Sequence, residues 1–302
     1  MITLAGAYTA IVTPFTNDGS SVAVDRLAEQ VHFQAEGGVR GIVPCGTTGE
    51  APTLEEREHI AVIKCAVQVG RPLGLQIIAG AGSNSTAHAI HLHQLAAKLG
   101  ADAALQVAPY YNKPSQEGLY QHFMAIAESA DLPIVLYNIP GRSAVTITPE
   151  TIERLAKHPN IVAVKEATGS MDSASEIRKR CSIAILSGDD SLTASFAAVG
   201  AVGVVSVVSN IVPDRVASLC RAIANNDFTA LRKSHDELFA LSRGLLSLDV
   251  NPVPLKCAME VLGRDSGSVR LPLVRASETI RATIALLLRD AHVPALAAHA
   301  SC

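Results

Sequence analysis

Apolar residues gather in short runs that recur along the first two-thirds of the chain. They are Ala7–Val12 (AYTAIV), Gly41–Cys45 (GIVPC), Leu73–Ala79 (LGLQIIA), Ala103–Ala108 (AALQVA), Pro133–Tyr137 (PIVLY), Ile161–Lys165 (IVAVK), Ile183–Leu186 (IAIL) and Val202–Val207 (VGVVSV). They return every ~20–30 residues or so, the length of one strand-plus-helix unit. Most are apolar throughout rather than alternating, which is how strands of a parallel sheet read when both faces are covered. Between them lie amphipathic stretches. Thr53 stands as a cap before Glu55 and Glu56 and the apolar stripe Ile60, Val62, Ile63 and Val67. Residues 84–99 and 115–130 read the same way. Eight such units close most simply into a (β/α)8 barrel. The competing architecture, an open doubly wound sheet, usually carries G-x-G-x-x-G after its first strand; here Val12-Thr13-Pro14-Phe15 follows instead.

Beyond about residue 225 the alternation stops. Residues 229–247, 254–262 and 277–289 predict helices with no strand between them. The expected division is therefore a barrel over 1–224 and a C-terminal helical region over 225–302. That region reads as an appendix on the barrel and as a candidate oligomerisation surface.

Composition agrees with this picture and narrows the function. A length of 302 residues suggests two domains at ~150 residues each, but α/β barrels of about 250 residues fold as one. With 48% hydrophobic and 18% charged residues, the chain buries a large core and is not disordered. A net charge of −3 gives no electrostatic basis for binding nucleic acid or an anionic membrane. Aromatic residues make up 4%, with no Trp, which argues against stacking platforms. The first basic residue is Arg26. The longest apolar run, 197–208, is broken by Gly200, Gly203 and Ser206 and falls short of the ~20 residues a membrane span needs. A cytoplasmic protein is expected. The six cysteines (45, 65, 181, 220, 257 and 302) form no C-x-x-C pair and read as reduced thiols.

Barrel chemistry sits at the carboxyl ends of the strands, so the residues closing each run are the candidates. Lys165 is the sharpest signal: of eight lysines it alone ends an apolar strand-like run. Burial penalises the ammonium form, and a neutral amine attacks a ketone to give a Schiff base. The other reading is a lysine that reaches solvent or pairs with Glu166. Tyr137 ends the preceding run and is placed either to shuttle protons to a substrate on Lys165 or to cap the barrel mouth with its hydroxyl in water. Thr47 and Thr48, between Gly46 and Gly49, form a carboxylate cradle or an ordinary polar turn. Arg142, after Pro140-Gly141, either forks onto a second carboxylate or is simply exposed. Lys256 lies in the helical region and reads as structural, and Cys45 as a small buried residue. No metal site is expected. His88, His91 and His93 crowd one helix, but His91 and His93 face different ways, and Asp189-Asp190 reads as a helix cap before it reads as a Mg²⁺ site.

Taken in order, Gly46-Thr-Thr-Gly-Glu50, Pro109-Tyr-Tyr-Asn112, Tyr137-Asn-Ile-Pro-Gly-Arg142, Lys165-Glu-Ala-Thr-Gly169 and Ser187-Gly-Asp-Asp190 resemble the dihydrodipicolinate synthase family, within the pyruvate-dependent class I aldolases. The resemblance runs through Asn251-Pro-Val-Pro-Leu-Lys256. It implies a Schiff-base lysine at Lys165, a general acid/base at Tyr137, and proton-relay partners at Thr47 and Tyr111, the last reaching across from a neighbouring subunit. It implies that Thr48 holds the pyruvate carboxylate, Arg142 recruits that of aspartate semialdehyde, and Gly188 and the Val205 carbonyl line the pocket. A homotetramer built of tight dimers follows, with no metal or organic cofactor. Sister aldolases that act on N-acetylneuraminate, 2-keto-3-deoxy sugar acids or 4-hydroxy-2-oxoglutarate share the lysine and tyrosine. Those acting on N-acetylneuraminate and 4-hydroxy-2-oxoglutarate usually carry Gly-Ser-x-Gly-Glu and lack the arginine. A non-catalytic pyruvate-binding paralogue is the rival from another class; Lys165, Tyr137 and Thr47 argue against it. Feedback by lysine in the family uses an Asn, a Glu and histidines. Here Asn84, His59 and Tyr110 match, while His88 replaces the Glu and Glu56 a His. Weak or absent lysine inhibition is expected.

Overall fold

The computed structural model describes residues 2–295; Met1 and residues 296–302, with Cys302, lie outside it. Eight strands form one closed parallel barrel: β1 (Gly6–Thr9), β2 (Gly41–Ile42), β3 (Gln76–Gly80), β4 (Ala103–Val107), β5 (Ile134–Asn138), β6 (Ile161–Glu166), β7 (Ala184–Ser187) and β8 (Gly203–Ser206). β8 closes the barrel on β1, with Tyr8 opposite Val205.

Among the described residues, twelve α-helices accompany the strands. They are α1 (Val24–Glu36), α2 (Glu56–Gly70), α3 (Thr86–Leu99), α4 (Gln116–Ala127), α5 (Pro140–Ser143), α6 (Pro149–Leu155), α7 (Met171–Arg180), α8 (Thr193–Ala198), α9 (Pro213–Ala224), α10 (Phe228–Leu246), α11 (Val253–Val261) and α12 (Glu278–Asp290). The last three match the strandless region expected from the pattern. They contribute Leu238, Leu241, Leu255, Met259 and Ile284 to the hydrophobic cluster that also holds Ile11, Val31 and Ile63 of the barrel wall.

The two-residue period of a strand sets what points inward. Val135 and Tyr137 of β5, Ala163 of β6, Leu186 of β7 and Val205 of β8 share the barrel-interior cluster. Ile134, Leu136 and Val164 face the helices. Lys165, two residues after Ala163, therefore continues the inward face at the barrel's carboxyl end.

Several boundaries differ from the sequence pattern, and three of them have a cause visible in a single turn or side chain. β1 stops at Thr9 rather than Val12 because the Asn210 side chain takes over: its Oδ1 accepts from Val12 N at 3.1 Å and its Nδ2 donates to Ala10 O at 2.9 Å. β3 begins at Gln76 because residues 71–73 form a 3-10 turn followed by Gly74 at φ 81°. Helix α2 is capped by Glu55, not Thr53. Thr53 closes a short 3-10 turn, while Glu55 and Glu58 form a reciprocal capping box, Glu55 N donating to Glu58 Oε2 at 3.0 Å.

The helical region is tied to the barrel mouth by a buried ion pair. Lys256 Nζ donates to Glu50 Oε1 at 2.5 Å and to Ser268 O at 2.8 Å, and lies 4.0 Å from the centre of the Phe15 ring. Both side chains are essentially inaccessible. The second Glu50 oxygen accepts from Arg270 N at 3.0 Å. Lys256 is thus a structural lysine.

Candidate active site

Lys165 and Tyr137 are direct partners across the β5–β6 ladder. Lys165 Nζ stands 4.0 Å from the centre of the Tyr137 ring, and each residue is only 5% exposed. Neither alternative fate of the lysine is realised. It does not reach solvent, and it does not pair with Glu166, whose side chain points to the other face of the strand. There Glu166 Oε2 accepts from Asn138 Nδ2 at 3.0 Å and Oε1 from Thr168 N at 2.8 Å, while burial holds its carboxyl above the usual range. Among the described residues, no carboxylate lies within ion-pair distance of Lys165.

Gly188 is pressed against this lysine. Its N–H donates to Glu166 O at 2.8 Å. A Cβ built on it would stand 2.6 Å from Ala167 Cβ and 3.2 Å from Lys165 Cε. Val205 sits in the inner cluster, fully covered. The loop that follows it is pinned by Asp190, which accepts from Val207 N at 2.8 Å, Val208 N at 3.3 Å and the Ser206 hydroxyl. Asp189 caps the turn that opens α8 by accepting from Ser191 N at 3.2 Å. Asp189 is therefore a cap, and Asp190 a clamp on the loop after β8.

A cavity of about 460 Å³ opens beside Tyr137. Thr47, Arg142, Leu105, Val107 and Ile139 line it, together with His59, His88, Glu56 and Tyr110. Cys45 also borders it, with burial holding its thiol far above the usual range. A larger groove, about 870 Å³, lies between Val202, Arg178 and Phe228. It is at the amino end of β8, away from the strand ends that carry barrel chemistry.

Thr48 is buried and accepts a hydrogen bond from Asn251 Nδ2 at 2.9 Å. The Asn251 carbonyl accepts from Arg142 Nη2 at 3.3 Å. Asn251 went unmarked by sequence reasoning; its only signal was its place at the head of the Asn-Pro-Val-Pro-Leu-Lys stretch. Tyr111 is not brought to Tyr137 within this chain. It is 88% exposed at φ 77°, beside Tyr110, which does border the cavity. Asn84 joins the two loops: its Nδ2 donates to Tyr110 O at 3.1 Å and its carbonyl accepts from Asn112 Nδ2 at 2.9 Å.

His91 and His93 of α3 face different ways, while the His88 and His91 rings stack with centroids 6.2 Å apart. His93 is fully buried, with Nδ1 3.4 Å from Gln106 Nε2. His91 is exposed and meets Glu56 at 3.1 Å. Among the described residues no cluster of three or more His, Cys, Asp or Glu is arranged to hold a metal ion, and no helix is long and apolar enough to cross a membrane.

A buried amine facing a phenol at the carboxyl end of a barrel strand is placed where barrel enzymes carry their chemistry, and a neutral amine there can attack a carbonyl carbon. The sequence matches the Dihydrodipicolinate synthetase family over residues 3–291, and the chain belongs to that family. It is 48% identical over 289 residues to the 4-hydroxy-tetrahydrodipicolinate synthase of Pelobacter propionicus, covering 94% of this chain and 98% of that one. Among solved structures, the dihydrodipicolinate synthase of Acinetobacter baumannii complexed with pyruvate is 41% identical with a TM-score of 0.92, covering 96% of this chain and 100% of that one. The enzyme of Cyanidioschyzon merolae with lysine bound is 37% identical with a TM-score of 0.93, covering 96% and 98%.

Proposed function

We propose that this chain condenses pyruvate with L-aspartate 4-semialdehyde, as a 4-hydroxy-tetrahydrodipicolinate synthase of the diaminopimelate route to lysine. The observation that carries the reading is the Lys165 amine: buried, free of any carboxylate partner among the described residues, and facing Tyr137. The amine attacks C2 of pyruvate and water leaves, giving the iminium. The iminium draws electrons from the methyl group, which loses a proton to form the enamine. That carbon attacks the aldehyde carbon, whose oxygen gains a proton. The amine of the semialdehyde then attacks C2, closes the ring and frees Lys165. Tyr137 supplies and removes these protons, relayed through Thr47 and Tyr111. Thr48 holds the pyruvate carboxylate, Arg142 that of the aldehyde, and Gly188 and the Val205 carbonyl shape the wall. The iminium is itself the electron sink, so the route requires no metal or organic cofactor.

Borohydride reduction in the presence of pyruvate tests the proposal. The expected result is a covalent mass on the wild type and none on Lys165→Ala. Absence of the adduct from the wild type refutes it. Turnover with aspartate semialdehyde, set against N-acetylneuraminate and 2-keto-3-deoxy sugar acids, separates it from the sister aldolases.

A homotetramer of tight dimers belongs to the same proposal. Tyr111, exposed and held in left-handed backbone, supports it as a residue directed at a neighbouring copy. The cytoplasmic placement is likewise proposed, supported by the free Cys45, Cys65, Cys181, Cys220 and Cys257. The regulatory reading rests on His59, His88 and Tyr110, which border the cavity, and on Asn84, bonded to Tyr110. There the Glu56 carboxylate, engaged with His91, and the His88 imidazole replace the expected arrangement, which supports weak inhibition by lysine.

A further inference from the structure

We infer that Asn251 is a positioning residue that fixes the polarity of the Thr48 hydroxyl and so aims its proton at the carboxylate of the oxo-acid substrate. This rests on the function proposed above. A threonine hydroxyl has one proton and two lone pairs. Asn251 Nδ2 donates to Thr48 Oγ1 at 2.9 Å, so the hydroxyl is an acceptor in that bond and its own proton points elsewhere. Among the described residues no acceptor takes that proton. Thr48 is 3% exposed, so solvent is not the ready alternative. A hydroxyl that already accepts one hydrogen bond is a better donor for the next, which is what a carboxylate requires.

The same residue reaches the second substrate subsite by a different atom. Its main-chain carbonyl accepts from Arg142 Nη2 at 3.3 Å. The side chain therefore serves the Thr48 subsite and the backbone serves Arg142, which makes the two contributions separable. Asn251 is itself held in place: five residues on, Lys256 locks α11 to Glu50, three residues from the catalytic-loop Thr47. Its remaining side-chain acceptor, Oδ1, is buried without a protein partner among the described residues.

The test is steady-state kinetics on Asn251→Ala and Asn251→Asp, with thermal midpoints to verify folding. In Asn251→Ala the KM for pyruvate is expected to rise about three- to tenfold, the worth of one such hydrogen bond. kcat should stay within about twofold and the aldehyde KM should hold, because the backbone carbonyl is kept. Asn251→Asp offers Thr48 only an acceptor, so it captures the proton and sets a charge near the bound carboxylate; its pyruvate KM should rise further than that of Asn251→Ala. An unchanged pyruvate KM in Asn251→Ala overturns the inference. So does an equal rise in both KM values, which would make the side chain a mere strut, and so does an Asp variant that binds pyruvate like the wild type. The borohydride adduct is measured on wild type alongside. If it forms while the Asn251 variants keep the wild-type KM, only this inference fails. If it does not form, the parent proposal fails and this one with it.

Discussion

The buried pair between Lys256 and Glu50 is the contact whose removal should cost the fold most. Lys256→Met keeps the length of the side chain and its packing on Phe15 but removes the ammonium. Glu50, with a side chain only 1% exposed, is then left with one donor, Arg270 N at 3.0 Å, and the Ser268 carbonyl loses its partner as well. Breaking one half of a buried ion pair costs about 3–5 kcal/mol, because a charge stays behind in a medium that does not solvate it. At roughly 2 °C per kcal/mol for a chain of this size, the thermal midpoint should fall by about 6–10 °C. Removing both charges together, as Glu50→Gln with Lys256→Met, should restore part of that loss, since Glu50 no longer carries a charge; Asp265, which also feels the Lys256 ammonium, keeps Arg26 at 3.9 Å. Differential scanning calorimetry at matched scan rates reads both. A fall of less than about 2 °C in the single variant, or a double variant as damaged as the single, refutes the reasoning. Either result would mean that Glu50 finds water or a proton once its partner is gone.

Three further outcomes follow from the geometry. Gly188→Ala forces a methyl to within 2.6 Å of Ala167 Cβ and 3.2 Å of Lys165 Cε; displacement of the nucleophile by even part of an ångström should lower kcat/KM by about tenfold or more, and wild-type kinetics would show that the wall yields. His93 and His122 are buried, and burial pulls each down to about 4 from 6.5. The unfolded chain thus takes these protons first, and their contribution to stability is whole above about pH 6.5 and lost as pH falls toward 4. Each should cost about 2 kcal/mol between pH 7.5 and 5, so urea unfolding of His122→Gln should show a shallower loss over that range than wild type. Lysine should leave turnover unaffected at micromolar concentration in a steady-state assay, and inhibition in that range would contradict the reading of His88 and Glu56.

The barrel was readable because strands covered on both faces cannot hide in an alternating pattern: Ile161–Val164 and Ile134–Leu136 announce themselves as continuous apolar runs. Lys165 was readable for the same reason, as a charge at the end of a run that admits none. What escaped were the features made by distant parts of the chain. Nothing near Thr48 or Glu50 indicates that their partners are Asn251 and Lys256, 203 and 206 residues away. The end of β1 moved for a contact of that long-range kind, and the cap of α2 for a trade within a few residues. An Asn210 amide stands in for ladder partners at Ala10 and Val12, and a glutamate captures the cap of α2 from a threonine two residues earlier.

The reach of those two contacts has a consequence for how the molecule is made. Synthesis runs from the amino end at ~5–20 residues per second, so Thr48 and Glu50 emerge some 10–40 s before the residues that hold them. Through that interval Glu50 is a carboxylate whose final environment does not yet exist, and it remains hydrated. For most of it the β1–β8 seam is also open, because β8 (Gly203–Ser206) has not yet been made. The mouth of the barrel therefore sets last, after α11 has docked. A nascent chain can already contain every side chain that touches substrate and still be unable to hold one.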